Sequence, residues 1–346
     1  MSEFMTRSVV SWVALGLTFT AGLGCAVDDE TSTAEQAGEQ LQGEQLQGEQ
    51  LQGEQLQGMH MQGIRFQGAT LSGVPLTHVQ IDRGELVAQR GADTLRGTQL
   101  AGAQFKADLR GTSPPATAVI EYRIAEIAPE LSKYDVTNTG HTYLYTLEQR
   151  ASDTSPWQVA CPADIDGRSV AIPVAAVWDD HGNRNESTTQ FTFGCTTGVI
   201  AKCYRWGYRP WVTGYGDMVA MHQTCTRLAR ADYCGNGKAN THDGTKVNVW
   251  DMLPPPGPIQ RRAVYSPIGF PPTLPMTFEA GWNTGGAVCL SRARWLVNGT
   301  LQIASLCPDR LVPPGLGETV CNSVGEALGY DANAKMFNES DIHLNL

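Results

Sequence analysis

The chain has 346 residues, a formal net charge of −10, 41% hydrophobic residues and nine cysteines. That hydrophobic share is ordinary for a globular protein, and the length allows one large or two ordinary domains. With an acidic balance and no block of Lys or Arg, nucleic acid is excluded as a partner, because sequence-independent binding needs a basic footprint.

The first feature in chain order is an apolar run at residues 8–24, which follows Arg7 and ends at Cys25. It is too short and too weakly flanked to span a membrane, and has the layout of a bacterial secretory leader. A cysteine at the cleavage point predicts lipidation of Cys25. Gly22 stands where lipoprotein leaders carry a branched aliphatic residue, so the alternative is ordinary cleavage after Ala26, which discards Cys25. Either route leaves Cys161, Cys195, Cys203, Cys225, Cys234, Cys289, Cys307 and Cys321. That is an even set in an exported chain, the count of a disulfide framework. No second apolar run reaches about 18 residues, so membrane contact is expected through a lipid anchor only, at the outer membrane or cell surface.

Residues 26–40 are acidic and polar and read as a disordered tether. A five-residue period follows. Glycine recurs from Gly38 to Gly73, and an apolar phase runs Leu41, Leu46, Leu51, Leu56, Met61, Phe66, Leu71 and Leu76. This resembles a pentapeptide-repeat solenoid, with a small residue two before each inward apolar one. Ala69 before Leu71 and Ala103 before Phe105 fit that pattern. Glu39, Glu44, Glu49 and Glu54 do not, because a carboxylate there would be buried without a partner. Residues 26–58 are therefore expected to form tether and low-complexity stalk, with folded structure led in from Met59.

Residues 59–195 read as a β-rich domain. AVIEYRIAEI, HTYLYTLEQ, SVAIPVAAVWDD and TTQFTFGC are rich in β-branched and aromatic residues, and DIDG, DDHGN and TSPP separate them as turns. Residues 196–346 read as a disulfide-stapled α+β region. VIAKCYRWGY is expected as a strand with Tyr204, Trp206 and Tyr208 on one face and Arg205 and Arg209 on the other. Residues 217–234 read as a helix, since Met218, Met221, Cys225 and Leu228 fall at helical spacing. GKANTHDGTKVNVWD is expected as a hairpin around Asp243-Gly244, GAVCLSRARW and TLQIASLC as strands, and residues 319–328 as a short helix. The fold class is thus α+β, mostly β and antiparallel, with one main helix.

The densest signature is CYRWGYRPW followed by HQTCTRLARADYCGNG, then FEAGW and GAVCLSRARW. On these motifs the chain resembles the ADYC-domain family, whose tetrapeptide stands here as Ala231-Asp232-Tyr233-Cys234. The resemblance spans about residues 86–321. It implies an exported protein of a largely myxobacterial family, often behind a lipoprotein leader and a glycine-glutamine stalk. It implies no activity.

Reactive chemistry is outweighed at each place it could be drawn. His222 with Cys225, or His242 and Asp243 with Cys234, would suit a thiol nucleophile, but eight cysteines in an oxidising compartment favour disulfides. His222, Cys225, Cys234 and His242 match no common zinc spacing. Asp232 and Glu279 could serve glycosidic chemistry, though nothing fixes their separation. No catalytic, metal or cofactor residue is therefore assigned. Tyr204, Trp206, Tyr208, Trp211, Trp250, Trp282 and Trp295 are expected mainly as core, with Tyr204, Trp206, Tyr208, Arg205 and Arg209 as a possible platform for an extracellular glycan or protein ligand. Arg227 and Arg230 are expected in local ion pairs. The expected role is a non-catalytic structural or ligand-binding envelope module, the alternative being an exported hydrolase of envelope polymers.

Helix geometry constrains the disulfides. Cys225 and Cys234 on one helix would lie roughly 13 Å apart on opposite faces, too far to bond. The expected pairs are Cys161–Cys195, Cys225–Cys289, Cys203–Cys234 and Cys307–Cys321.

Overall fold

The computed structural model describes residues 64–65, 68–108, 119–130, 142–164, 166–179, 181–188, 190–241, 245, 247–253, 259–260, 276–296, 307, 311, 319–340 and 343–344. The leader, Cys25, the tether, the stalk, TSPP, the Asp243-Gly244 tip with His242, and TLQIAS lie outside them. No helix among the described residues is long and apolar enough to cross a membrane.

The first part is antiparallel β, as its alternating segments predict. The leading strands are β1 (Ile64–Arg65), β2 (Thr70–Leu71), β3 (Val74–Pro75), β4 (Thr77–Asp82), β5 (Glu85–Arg90) and β6 (Asp93–Arg96). After a 3-10 turn at Gly97–Leu100 come β7 (Gln104–Asp108), β8 (Val119–Glu130), β9 (Thr142–Arg150) and β10 (Gln158–Val159). Then follow β11 (Ala171–Val174), β12 (Ala176–Trp178), β13 (Arg184–Glu186) and β14 (Gln190–Cys195). A nine-stranded sheet runs β1-β14-β11-β9-β8-β7-β2-β3 with β10 on β9, beside a β4-β5-β6 sheet and a β12–β13 hairpin.

Period-two side chains explain which face is dry. Tyr122 and Ile124 of β8, Tyr145 and Leu147 of β9, Phe105 of β7, and Phe191 and Phe193 of β14 are buried together. Phe191 lies edge-on to Phe193 at 5.1 Å. The opposite face carries ions: Glu121 pairs with Arg150 at 2.6 Å, and Arg123 donates to Glu148 at 2.7 Å. The Arg123 and Arg150 guanidinium groups each lie over the Trp157 ring, at 4.6 and 4.5 Å from its centroid. Ala69, Leu71, Leu76, Ala103 and Phe105 are all buried in this core, but β2 and β3 form an antiparallel hairpin at Ser72-Gly73 rather than a solenoid coil.

The second part holds α1 (Val199–Arg205), α2 (Met218–Arg230), β15 (Val247–Asp251), β16 (Ile259–Gln260), β17 (Thr277–Asn283) and β18 (Gly286–Leu290). It closes with β19 (Trp295–Leu296), α3 (Val324–Tyr330), β20 (Met336–Ser340) and β21 (His343–Leu344). A five-stranded antiparallel sheet runs β16-β15-β20-β17-β18. One core joins Ile172 and Val174 of the large sheet, Ile200 and Tyr204 of α1, Met221 and Leu228 of α2, and Trp282 and Met336 of the small sheet. The α1–α2 pair is thus packed against both sheets.

Three expectations are corrected. VIAKCYR is the helix α1, not a strand. Its residues Val199 to Tyr204 are all buried, so no exposed face marks its period. Trp206 ends the helix, and Gly207 at φ +98° turns the chain before Tyr208. The first arm of the expected hairpin at GKAN is not a strand either. The Asn240 N–H donates to Arg230 O and its side-chain amide to Ala231 O, both at 2.9 Å, so this segment caps α2. Helix α2 ends at Arg230 rather than at Cys234.

Candidate functional site

The family tetrapeptide forms the turn that closes α2. Asp217 starts that helix, its Oδ1 accepting from the Ala220 N–H at 2.9 Å. Ala231 ends it in the left-handed conformation, φ +50°, and its N–H returns to Arg227 O and Leu228 O.

Asp232 is fully buried and accepts from the Arg227 guanidinium, from the Asn236 N–H at 3.1 Å and from the Gly237 N–H at 2.9 Å. Arg227 also donates to His181 O and Asn183 Oδ1, each at 2.6 Å, and to Thr284 O at 3.2 Å. One ion pair therefore fixes the loop after α2, the β12–β13 turn and the β17–β18 turn.

Tyr233 stacks on Trp282 with ring centroids 5.3 Å apart. Its hydroxyl accepts from the Arg294 N–H at 2.7 Å and donates to Glu279 Oε1 at 3.1 Å. Its carbonyl accepts from the Ala287 N–H at 3.0 Å. Cys234 is disulfide-bonded to Cys307. Glycine is required next, because a Cβ on Gly235 would lie 1.8 Å from Gly285 O, and one on Gly286 would lie 2.6 Å from Tyr233 O.

Below the turn lies a dry polar network. Arg294 and Glu279 are completely buried and joined by two hydrogen bonds of 3.0 Å. Arg294 also donates to Leu228 O at 3.0 Å, Ala229 O at 3.2 Å and Thr241 Oγ1 at 3.1 Å. Its charge therefore sits on two of the last carbonyls of α2, where the helix dipole favours a cation. Asn338 donates to Glu279 Oε2 at 2.8 Å and accepts from Trp282 Nε1 at 2.7 Å. Burial pushes the Glu279 carboxyl up, but Arg294 and the donors around it outweigh burial and hold it below its usual range. Burial, reinforced by the Glu279 charge, raises the Tyr233 phenol. The network is saturated with partners, the condition under which buried charge is tolerated.

The residues considered for chemistry are dispersed among such contacts. Asp232 and Glu279 are each held by a different arginine. Cys225 is bonded to Cys203, and His222 Nε2 donates to Ile200 O at 3.1 Å, so the two do not form a thiol–imidazole pair. Among the described residues no group of three His, Cys, Asp or Glu side chains could hold a metal. Tyr204, Trp206 and Tyr208 are 1, 2 and 1% exposed, so they form core and offer no platform. Tyr208 donates to Asp251 at 2.9 Å. Arg205 pairs with Asp164 at 3.6 Å, and Arg209 is buried beside Thr142. An open recess of about 420 Å³ is lined by Gln80, Ile81, Ala175, Glu186, Ser187 and Thr188, none of them from the motif blocks. Sequence reasoning missed Arg294 and Asn338 as partners of Glu279. The signal was the NTGG turn, which folds FEAGW back on LSRARW and sets the Ser291 N–H on Glu279 O at 2.7 Å.

Four disulfides form: Cys161–Cys195, Cys203–Cys225, Cys234–Cys307 and Cys289–Cys321, with Cα–Cα distances of 5.5, 5.9, 5.2 and 5.7 Å. The first is the expected pair, and Cys225 and Cys234 do not bond each other. The other three expectations are corrected. With α1 helical and packed on α2, the core side of Cys225 meets Cys203. Cys289 shares a small apolar cluster with Cys321 and with Ala327 of α3, so it bonds Cys321. That leaves Cys234 with Cys307. Four such bonds mark an oxidising, exported environment.

The geometry defines a mostly β, disulfide-stapled α+β module whose keystone is the turn after α2. The family model of the ADYC domain matches residues 97–296, and the chain belongs to the ADYC-domain family. No curated protein and no solved structure matches it.

Proposed function

We propose that this protein is an exported, lipid-anchored envelope module with a non-catalytic structural or ligand-binding role. One observation carries the reading: Asp232, Tyr233, Cys234, Glu279 and Arg294, drawn from the motif blocks, are spent on interior contacts that fix the fold. Groups so engaged hold a scaffold and are not presented to a substrate. In this reading Cys25 carries the lipid, residues 26–58 act as tether and stalk, and the stapled module stands off the membrane to meet an extracellular glycan or protein.

Two measurements test it. The full chain should partition with membranes, and Cys25→Ser should release it or block its processing. A soluble mature form beginning after Ala26 would remove the anchor from the account. Incubated with purified envelope polymers, the protein should release no fragments, and reproducible fragment release would replace the scaffold reading with the hydrolase one.

A further inference from the structure

His222 lies on α2 in the middle of the core and is completely buried. Its Nε2–H donates to Ile200 O, so the neutral ring is the hydrogen bond that closes α1 onto α2. Its Nδ1 meets no hydrogen-bond partner. The ring is held edge-on between Tyr204 at 4.4 Å and Trp178 at 5.9 Å, one from α1 and one from β12.

The charged group facing it comes from β13. Arg184 lies over the Trp178 ring and pairs with Glu186. Its strand is held against α2, because the Arg184 backbone N–H donates to Gln223 Oε1 at 2.9 Å and Gln223 Nε2 donates to Gly182 O at 2.9 Å, and its side chain also bonds Tyr204. The residue beside His222 on α2 therefore clamps the arginine-bearing hairpin in place. Of the other groups packed here, Tyr204 is kept neutral by burial. The cations of α2 itself, Arg227 and Arg230, are bonded at its far end to Asp232 and to Gly237 O.

We propose that His222 is an acid-operated latch between α1 and α2: protonation sets a second cation beside Arg184 in a dry site, and the helices part there. The Cys203–Cys225 bond joins the same two helices, so the opened form stays tethered and recloses on neutralisation. Burial, then the Arg184 charge, pushes the ring's pKa down to about 3, against its Ile200 bond. An opened ring returns toward about 6.5. Because the open form binds the proton more tightly, closure is fully favoured above about pH 6.5. It weakens as pH falls from there toward 3.

The test is native-state hydrogen exchange of the intact, oxidised protein from pH 7 to 4.5, corrected for intrinsic rates. The opening equilibrium read from peptides of α1 and α2 should rise about tenfold per pH unit below 6.5, while β8 and β9 peptides stay level. In His222→Gln, which keeps a donor for Ile200 O and does not titrate, the α1–α2 rise should vanish. A level response in the wild type, an equal rise in every peptide, or the same rise in the variant would overturn the latch. Should the variant fail to fold, the wild-type His222 ring signals decide by NMR. A ring that stays neutral in the closed state down to pH 4.5 supports the latch, and one that titrates near 6.5 overturns it.

Discussion

Replacing Arg294 by Met keeps much of the side chain's length and removes its charge. The guanidinium makes five hydrogen bonds: two to Glu279 and one each to Leu228 O, Ala229 O and Thr241. Without it the Glu279 carboxylate stays fully buried, held by Tyr233, Asn338 and Ser340 and stripped of its charged partner. Breaking one partner out of a buried pair costs about 3–5 kcal/mol. Typical total stabilities are about 5–15 kcal/mol, so the loss is a large fraction. In a domain of this size it corresponds to a fall in Tm on the order of 10 °C. Calorimetry on the non-reduced protein reads it. The double variant Glu279→Leu/Arg294→Met removes the stranded charge along with its partner, so it should be more stable than Arg294→Met alone. A single-variant loss below about 1 kcal/mol, or a double variant as unstable as the sum of the singles, would refute the reasoning.

Tyr233→Phe takes away one acceptor and one donor from the same network while keeping the stack on Trp282. Chemical denaturation should show a loss of about 1–3 kcal/mol, and a neutral result would mean the hydroxyl is dispensable. Gly235→Ala drives a methyl into Gly285 O at a residue with φ +67°, whereas Gly73→Ala meets nothing within 4 Å at φ +77°. The first should lower folded yield sharply and the second cost only the left-handed penalty of about 1–2 kcal/mol, and comparable effects on Tm would contradict the close approach. Deleting residues 38–58 should leave the melting temperature of the remainder nearly unchanged, since that segment offers too little apolar surface to offset its ordering. A large drop would place the repeats in the core.

The parts of the fold that could be read from sequence are those with one wet face. In AVIEYRIAEI, Tyr122 and Ile124 alternate with Glu121 and Arg123, and the same alternation marks HTYLYTLEQ. Helix α2 showed its stripe through Met218, Met221, Cys225 and Leu228. Helix α1 did not, because burial from Val199 to Tyr204 erases the period that distinguishes helix from strand. The same error carried into the disulfides. Cys161–Cys195 was legible because it borders neighbouring strands, with Ala171 opposite Cys195 in register. The pairings of Cys203 and Cys225 depended on two helices facing each other, which no local pattern encodes. The motif residues stood out as a string, but their common purpose did not. Glu279 and Arg294 meet only once the β17–β18 turn has formed, and both then reach carbonyls, rings or hydroxyls far along the chain.

The most direct test of the account is the disulfide map of the exported protein, taken by peptide mapping without reduction after alkylation of the native chain. Because the account rests on an oxidised module with α1 packed on α2 and the tetrapeptide turn tied to Cys307, it predicts the pairs 161–195, 203–225, 234–307 and 289–321. It also predicts no labelled cysteine from Cys161 onward. A stoichiometrically reactive thiol, or a 225–289 or 203–234 bond in place of these, would contradict it.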